Sequence, residues 1–318
     1  MAQVYLLSTR QDATDLPRMQ VAAERDRVRQ HWLTGRPEDA DLILFTDPAV
    51  PDMADIRQHP LYRQHASRCF VMATGDRVLP FVPGLFACPE KTTHPVHRSR
   101  TGPYLRVAFE PPAPDEAEGL HPSEPAEELL FSFVGRTETA AVRERIARLR
   151  HPRGVVIDAC LPDRGLAPAA FRRLLARSRF VLCPRGYGSS SFRLFETLRA
   201  GRVPVIVSDE WIPCSGPDWP SFSLMVREDK ISSLPALLEK AETQYAQMQQ
   251  AARRAWAEWF ATDVVFHRTV EWCLDLARHQ PASRRWDDRH YRLGRWRPSM
   301  LRWQWAGRHW RRRLRAAA

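Results

Sequence analysis

No stretch of this sequence stays apolar for anything near the ~18 residues that a bilayer-spanning helix requires, which excludes a helical membrane span. Cysteine is present but unorganised. Cys69, Cys88, Cys160, Cys183, Cys214 and Cys273 form no C-x-x-C pair, and none stands at zinc-ligand spacing with a histidine pair, so a zinc finger or ribbon is excluded. Cys69 and Cys183 lie inside apolar runs and read as small core residues. No charged-plus-apolar leader is recognisable, VYLLS being too short for a signal core, and the expectation is a cytoplasmic, reduced protein. Lysine is scarce, at three of 48 basic residues; Arg carries the positive charge, a feature of composition rather than mechanism.

The charge is unevenly placed. Of a formal net +11, the segment from Arg284 to Ala318 holds +10, leaving the rest of the 318 residues close to neutral. Any search for an acidic partner therefore belongs to the tail. Short apolar runs alternate with helical patterns along the body. Val4–Ser8, Asp41–Thr46, Cys69–Ala73 and Tyr104–Phe109 predict strands, with helices over Leu16–Trp32 and Pro60–Ala66. A Pro- and acid-rich stretch follows, EPPAPDEAEGLHPSEPAEE, with almost nothing to bury. Strands are then expected at 131–135, 155–159, 180–184, 203–208 and 222–226. The expected helices are Thr139–Arg150, Pro168–Arg177, Ser191–Ala200, Leu234–Phe260 and Val264–His279. Continuous apolar strands alternating with helices predict parallel sheets covered on both faces. The expected organisation is an α/β protein of two Rossmann-like domains facing across a cleft. Its parts are an N-terminal domain over 1–112, a linker over 113–128, a C-terminal domain over 129–280 and a basic tail over 281–318.

The most informative stretch is SRFVLCPRGYGSSSFRLFETLRAGRVPVIVSD. A buried strand ends at FVLCP and the turn RGYGSSS follows at its carboxyl end, where open α/β sheets bind ligands. Gly186 and Gly188 permit positive φ and close backbone approach. Ser189, Ser190 and Ser191 are N-cap candidates for the next helix, whose free N–H groups suit phosphate oxygens. Arg185 and Arg193 add full charges able to clamp a diphosphate, and Glu196, three residues after Arg193, can accept from two vicinal ribose hydroxyls. Diphosphate plus ribose describes a nucleotide sugar. On the residues alone a plainer reading stands beside this one: Glu196 simply pairs with Arg193 or Arg199.

CPRGYGSSSFRLFETLRAGRVPVIVSDEWIP resembles the signature of exostosin-family glycosyltransferases, and FSFVGR, Phe131 to Arg136, is similar to the first strand and loop of that family's donor domain. The resemblance is dense over residues 129–226 and thin elsewhere. It implies a GT-B fold, a nucleoside-diphosphate sugar donor (a UDP sugar first) and inversion at the anomeric carbon. By position it assigns Arg185, Arg193 and Glu196 to the donor site, with Gly135 and Arg136 on a neighbouring loop and Gly186, Ser190 and Ser191 in the turn. The family's His/Asp-Gly element after an N-terminal strand is matched only by Asp76, in CFVMATGDRVLPFVPG. Asp76 and Asp209 are the candidates for the base, each with a surface or N-cap role as the alternative, and Arg193 for stabilising the leaving group.

No metal or other cofactor is expected. The one D-x-D element, Asp39-Ala40-Asp41, precedes a strand instead of following one, and the arginines make a cation redundant. The acceptor implied is a glycan or lipid-linked glycan in cell-surface polysaccharide synthesis. In the tail, Met300, Trp303, Gly307, Trp310 and Leu314 recur at 3-4 spacing with Arg off the stripe, which fits an interfacial membrane helix. The expectation is peripheral association with the inner membrane face through residues 284–318, against a tail docked on the body. The rival from another class is a non-catalytic basic-tailed protein binding nucleic acid or anionic membrane; nucleic acid is the disfavoured partner.

Overall fold

Two strands, β3 (Leu42–Thr46) and β4 (Cys69–Ala73), are buried at every residue, as interior strands of a sheet covered on both faces must be. They belong to a computed structural model that describes residues 1–11, 13–46, 53–76, 81–92, 97–109, 129–159 and 166–279. The linker expected over 113–128 and the tail expected over 281–318 lie outside these residues. β3 and β4 join β1 (Ala2–Leu7), β2 (His31–Leu33), β5 (Gly84–Phe86) and β6 (Ser99–Thr101) in a parallel sheet of order β2-β1-β3-β4-β5-β6. A second parallel sheet holds β7 (Leu129–Gly135), β8 (Gly154–Asp158), β9 (Ser178–Pro184), β10 (Val203–Val207) and β11 (Leu224–Val226), in the order β11-β10-β9-β7-β8. The fold is therefore α/β of GT-B type, two Rossmann-like halves.

Both sheets run second-first-third-fourth-fifth from one edge. In each, the winding direction reverses between the first and third strands, which is where doubly wound sheets open a crevice. In the second half that point lies between β7 and β9, so Gly135–Arg136 and Pro184–Arg185–Gly186 emerge side by side.

The helices follow from apolar stripes. They are α1 (Asp15–Arg25), α2 (Met53–Gln58), α3 (Pro60–His65), α4 (Leu105–Ala108), α5 (Ala141–Ile146), α6 (Pro168–Arg177), α7 (Phe192–Arg199), α8 (Trp219–Phe222), α9 (Leu234–Ala241), α10 (Tyr245–Ala255) and α11 (Val265–Arg278). One apolar core runs through both halves. Tyr104 of the first half stacks on Phe192 (ring centroids 4.0 Å) and meets Phe195 edge-on at 5.8 Å. Glu90 and Trp211 form an antiparallel bridge between the halves. α11, last in the chain, returns to pack on β3, β5, β6 and α1 of the first sheet. Residues Met1–Arg278 thus make one compact unit.

Several local expectations are corrected. Tyr104–Phe109, expected as a strand, is a turn of helix at α4, because Leu105 and Val107 are drawn into the seam against α1 and α7. The helix expected to reach Trp32 ends at Arg25. Asp26 Oδ2 accepts from the Arg29 backbone N–H at 3.0 Å, and Arg29 takes φ 51°, so the chain turns into β2. β5 and β6, three residues each, are too short to leave a periodic signature. The helix expected over Thr139–Arg150 is shortened to α5, and the one over Leu234–Phe260 divides into α9, α10, a 3-10 turn between them and a π turn at Trp256–Phe260. Phe222 ends α8 instead of opening the strand expected at 222–226, which starts at Leu224.

Candidate active site

The turn between β9 and α7 is built for close approach. A Cβ on Gly188 would stand 2.6 Å from Cys88 Sγ and 2.8 Å from the Asp76 carbonyl, so only glycine lets the two halves meet here. Neither Gly186 nor Gly188 has positive φ, contrary to expectation; among the described glycines that conformation belongs to Gly201 and Gly216. What the turn needs from its glycines is space. Ser191 is the N-cap, its hydroxyl accepting from the Arg193 N–H at 3.3 Å. Ser189 Oγ donates to the Pro89 carbonyl at 2.9 Å, tying the turn to the first half. Ser190 Oγ is buried beside the Tyr104 hydroxyl and the Cys88 thiol without a well-formed hydrogen bond of its own.

Positive charge converges where β7 and β9 end. Arg143, on α5, was not singled out by the sequence, yet it lies at the centre. It donates to the carbonyls of Arg185 (2.9 Å), Pro184 (3.2 Å) and Arg136 (3.3 Å), and its Nη2 would be 3.2 Å from a Cβ on Gly186. Burial, and then the like charges of Arg193 and Arg185, push its guanidinium down to about 10. Those hydrogen bonds go to carbonyl oxygens and leave the charge to be compensated. The only signal in the sequence was an arginine between the buried Val142 and Ile146, just after a strand end.

Arg193 is held by three groups. Nη1 donates to Glu196 at 2.8 Å, Nη2 to the Val134 carbonyl at 2.8 Å, and the guanidinium lies 3.9 Å over the Phe171 ring. The plainer reading of Glu196 is thus present as an ion pair, both side chains more than four-fifths buried. Arg185 pairs with Glu228 at 2.6 Å, a residue not anticipated, just beyond β11. Glu228 in turn donates its backbone N–H to Asp209 Oδ1 at 3.1 Å, which gives Asp209 the capping role weighed as its alternative. Arg136 is exposed and pairs with Glu138, while the Gly135 carbonyl accepts from Ala159 N at 3.0 Å.

Asp76, exposed three residues after β4, stands against the turn through its carbonyl, and its charge is felt by Arg143. The D-x-D carboxylates are engaged elsewhere: Asp41 accepts from Gln3 N at 2.8 Å and Asp39 pairs with Arg36 at 3.4 Å. A cavity of about 350 Å³ opens past β10 and β11, walled by Asp209, Trp211 and Met225, with Lys91 reaching over from the first half.

Residues 87–241, from the end of β5 through α9, match the family model described as the exostosin GT47 domain. The Exostosin-1 homolog of Caenorhabditis elegans is 42% identical over 89 residues, 27% of this chain and 23% of its own length. Human Exostosin-2 is 30% identical over 145 residues, 45% of this chain and 20% of its own. The aligned chain thus spans less than a quarter of the length of these relatives. Among solved structures, an α1,3-fucosyltransferase aligns over 78% of this chain and 80% of its own, with 14% identity and a TM-score of 0.46. Residues 87–241 of this chain are thus similar to the exostosin GT47 glycosyltransferase domain.

Proposed function

We propose that this protein is an inverting glycosyltransferase that takes its sugar from a nucleoside diphosphate, a UDP sugar first, and passes it to a glycan or lipid-linked glycan. The observation that carries the reading is the convergence of Arg143, Arg185 and Arg193 at the β7/β9 crevice, beside the capped start of α7 and the loop that bears Arg136. Like charges held together with partial burial favour an anion in their midst, and the positive end of the α7 dipole adds to the attraction. The diphosphate belongs there. Glu196, joined through Arg193 to the Val134 carbonyl of β7, is the candidate for the ribose. The cavity lies on the β10 side and would receive the sugar and acceptor.

The chemistry is a single in-line displacement. The acceptor oxygen attacks the anomeric carbon as the diphosphate departs with added negative charge. Arg185, Arg193 and the start of α7 stabilise that charge in the transition state. Asp76, exposed beside the turn across the seam and close enough for Arg143 to feel its charge, is the candidate base, with Asp209, which accepts from the Glu228 N–H, as the alternative. With the positive charge supplied by arginines, turnover proceeds without a metal ion. The tail's Arg and Trp content supports association with an anionic membrane face and work on cell-surface polysaccharide from the cytoplasmic side. No helix among the described residues is long and apolar enough to cross a membrane.

A thermal-shift series with UDP, GDP and other nucleoside diphosphates, followed by donor hydrolysis with and without chelator, tests the reading. One nucleotide at about 100 times its Kd should stabilise the fold by about 2.7 kcal/mol. Hydrolysis of the matching sugar nucleotide should survive chelation at a temperature where the protein stays folded. No shift with any nucleotide overturns the donor site; a loss of turnover restored by Mg²⁺ or Mn²⁺ overturns metal independence. Vesicle binding that disappears on deleting 284–318 would support the membrane role.

A further inference from the structure

Away from the crevice, His31, His267 and Glu271 come together. His31 is the first residue of β2, at the amino edge of the first sheet, whereas the turns that bear the crevice lie at carboxyl edges. His267 and Glu271 stand one turn apart on α11. One ligand atom from each of the three lies within 4.8 Å of the others. The His31 and His267 rings stack at 5.1 Å, and His31 Nε2 meets Glu271 Oε1 at 2.9 Å.

A second observation is independent of that proximity. Nδ1 of His31, whose side chain is fully buried, and Nδ1 of His267, 6% exposed, have no hydrogen-bond partner, and neither does the buried Oδ1 of Asp26 in the turn before β2. Buried polar nitrogens normally find partners. Two imidazoles, each with a ring nitrogen that lacks a partner, beside a carboxylate make a donor set with a missing centre.

We propose that His31, His267 and Glu271 bind one divalent transition-metal ion of the zinc class. Imidazole ligands favour zinc over magnesium or calcium, and two His with one carboxylate is a recurrent zinc set that leaves a fourth position for water. Ligand atoms about a tetrahedral zinc stand ~3.4 Å apart, so closure needs side-chain rotations of about an ångström. Burial holds His267 below its ordinary value, which keeps it in the neutral form that ligates. The role is structural. The ion would fasten α11, at the end of the described chain, to the edge strand of the first sheet, remote in topology from the arginine turn.

The full-length protein, stripped with a chelating resin and titrated with Zn²⁺ alone, tests this. One equivalent should bind and raise Tm. Co²⁺ in its place should give the visible absorption of a nitrogen- and oxygen-ligated ion. Glu271→Gln, at a partly exposed position that tolerates change, and His267→Gln should each weaken Zn²⁺ binding at least ~100-fold, with circular dichroism confirming the fold. His151→Gln, on a histidine paired with Glu239, should keep the equivalent. Failure to retain any equivalent, or its survival in Glu271→Gln, overturns the site. The donor reading stands or falls separately: stripping should lower Tm without lowering turnover at a permissive temperature.

Discussion

Arg143 donates from Nε to the backbone carbonyl of Arg185 at 2.9 Å, so a half-buried charge on α5 holds the turn that follows β9. The contact makes Arg143 both a brace and a source of field. Arg143→Met should leave the Pro184, Arg185 and Arg136 carbonyls short of a donor and destabilise the fold by ~1–3 kcal/mol. It should also weaken nucleotide binding ~10–100-fold, by loss of a charge-assisted partner. Arg143→Lys keeps the charge and loses the fork, and should fall between the two. Titration calorimetry with the stabilising nucleotide reads the difference, and equal affinity in all three proteins would remove Arg143 from the site.

Arg193 and Glu196 should be coupled and yet different in effect. Glu196→Ala should weaken nucleotide binding by roughly 1.5–3 kcal/mol, through the loss of a charged ribose partner. Arg193→Ala should lower kcat more than affinity, because charge on the leaving group grows in the transition state. The double variant should cost less than the sum, since the 2.8 Å pair is broken once. Strict additivity, or unaltered binding and turnover in the single variants, would count against the assignment.

Gly188→Ala tests the seam. The new methyl must displace the Cys88 thiol or the Asp76 backbone, and overpacking of this kind costs about 1–3 kcal/mol. Because the clash separates the halves, turnover should fall further than the melting temperature suggests. An alanine variant with full activity would show that the two halves do not need this approach.

The described cysteines should be silent. Burial pushes Cys69 and Cys183 up to about 12 and Cys88 up to about 11, and drives Cys214 and Cys273 upward as well. Iodoacetamide at pH 8 should therefore leave all five unlabelled in the native protein and reach them on unfolding. Each thiol is raised in the fold, so the unfolded chain releases its protons first. Stability is full below pH 9 and should decline from there toward pH 12. Native mass spectrometry for labelling and urea titrations at pH 8 and 10 check both halves of this statement.

The sheet architecture was legible because LILFT, CFVMA, FSFVG, FVLCP and VPVIV are continuous apolar runs, a pattern that only doubly covered strands require. The arginine turn was legible because its glycines, serines and charges are adjacent in sequence. Arg143 and Glu228 were not, since each reaches Arg185 from more than forty residues away, through strand order alone. The histidine–glutamate cluster hid for the same reason: His31 and Glu271 are 240 residues apart. α4 misled because an alternating apolar segment becomes helical when a seam between two halves offers it burial, which is tertiary context overriding a local pattern.

The return of α11 to the first sheet makes the two halves interdependent for assembly. A chain cut between residues 109 and 129 would leave the N-terminal piece without Val265, Phe266, Val270, Cys273 and Leu276, which fill its core from the far end of the sequence. The C-terminal piece would carry that same greasy helix with nothing to cover. Neither fragment should accumulate as a soluble monomer, while the two expressed together should reassemble and regain turnover. The fold is thus a natural two-part complementation system, in which the recovered activity reports that the pieces have met.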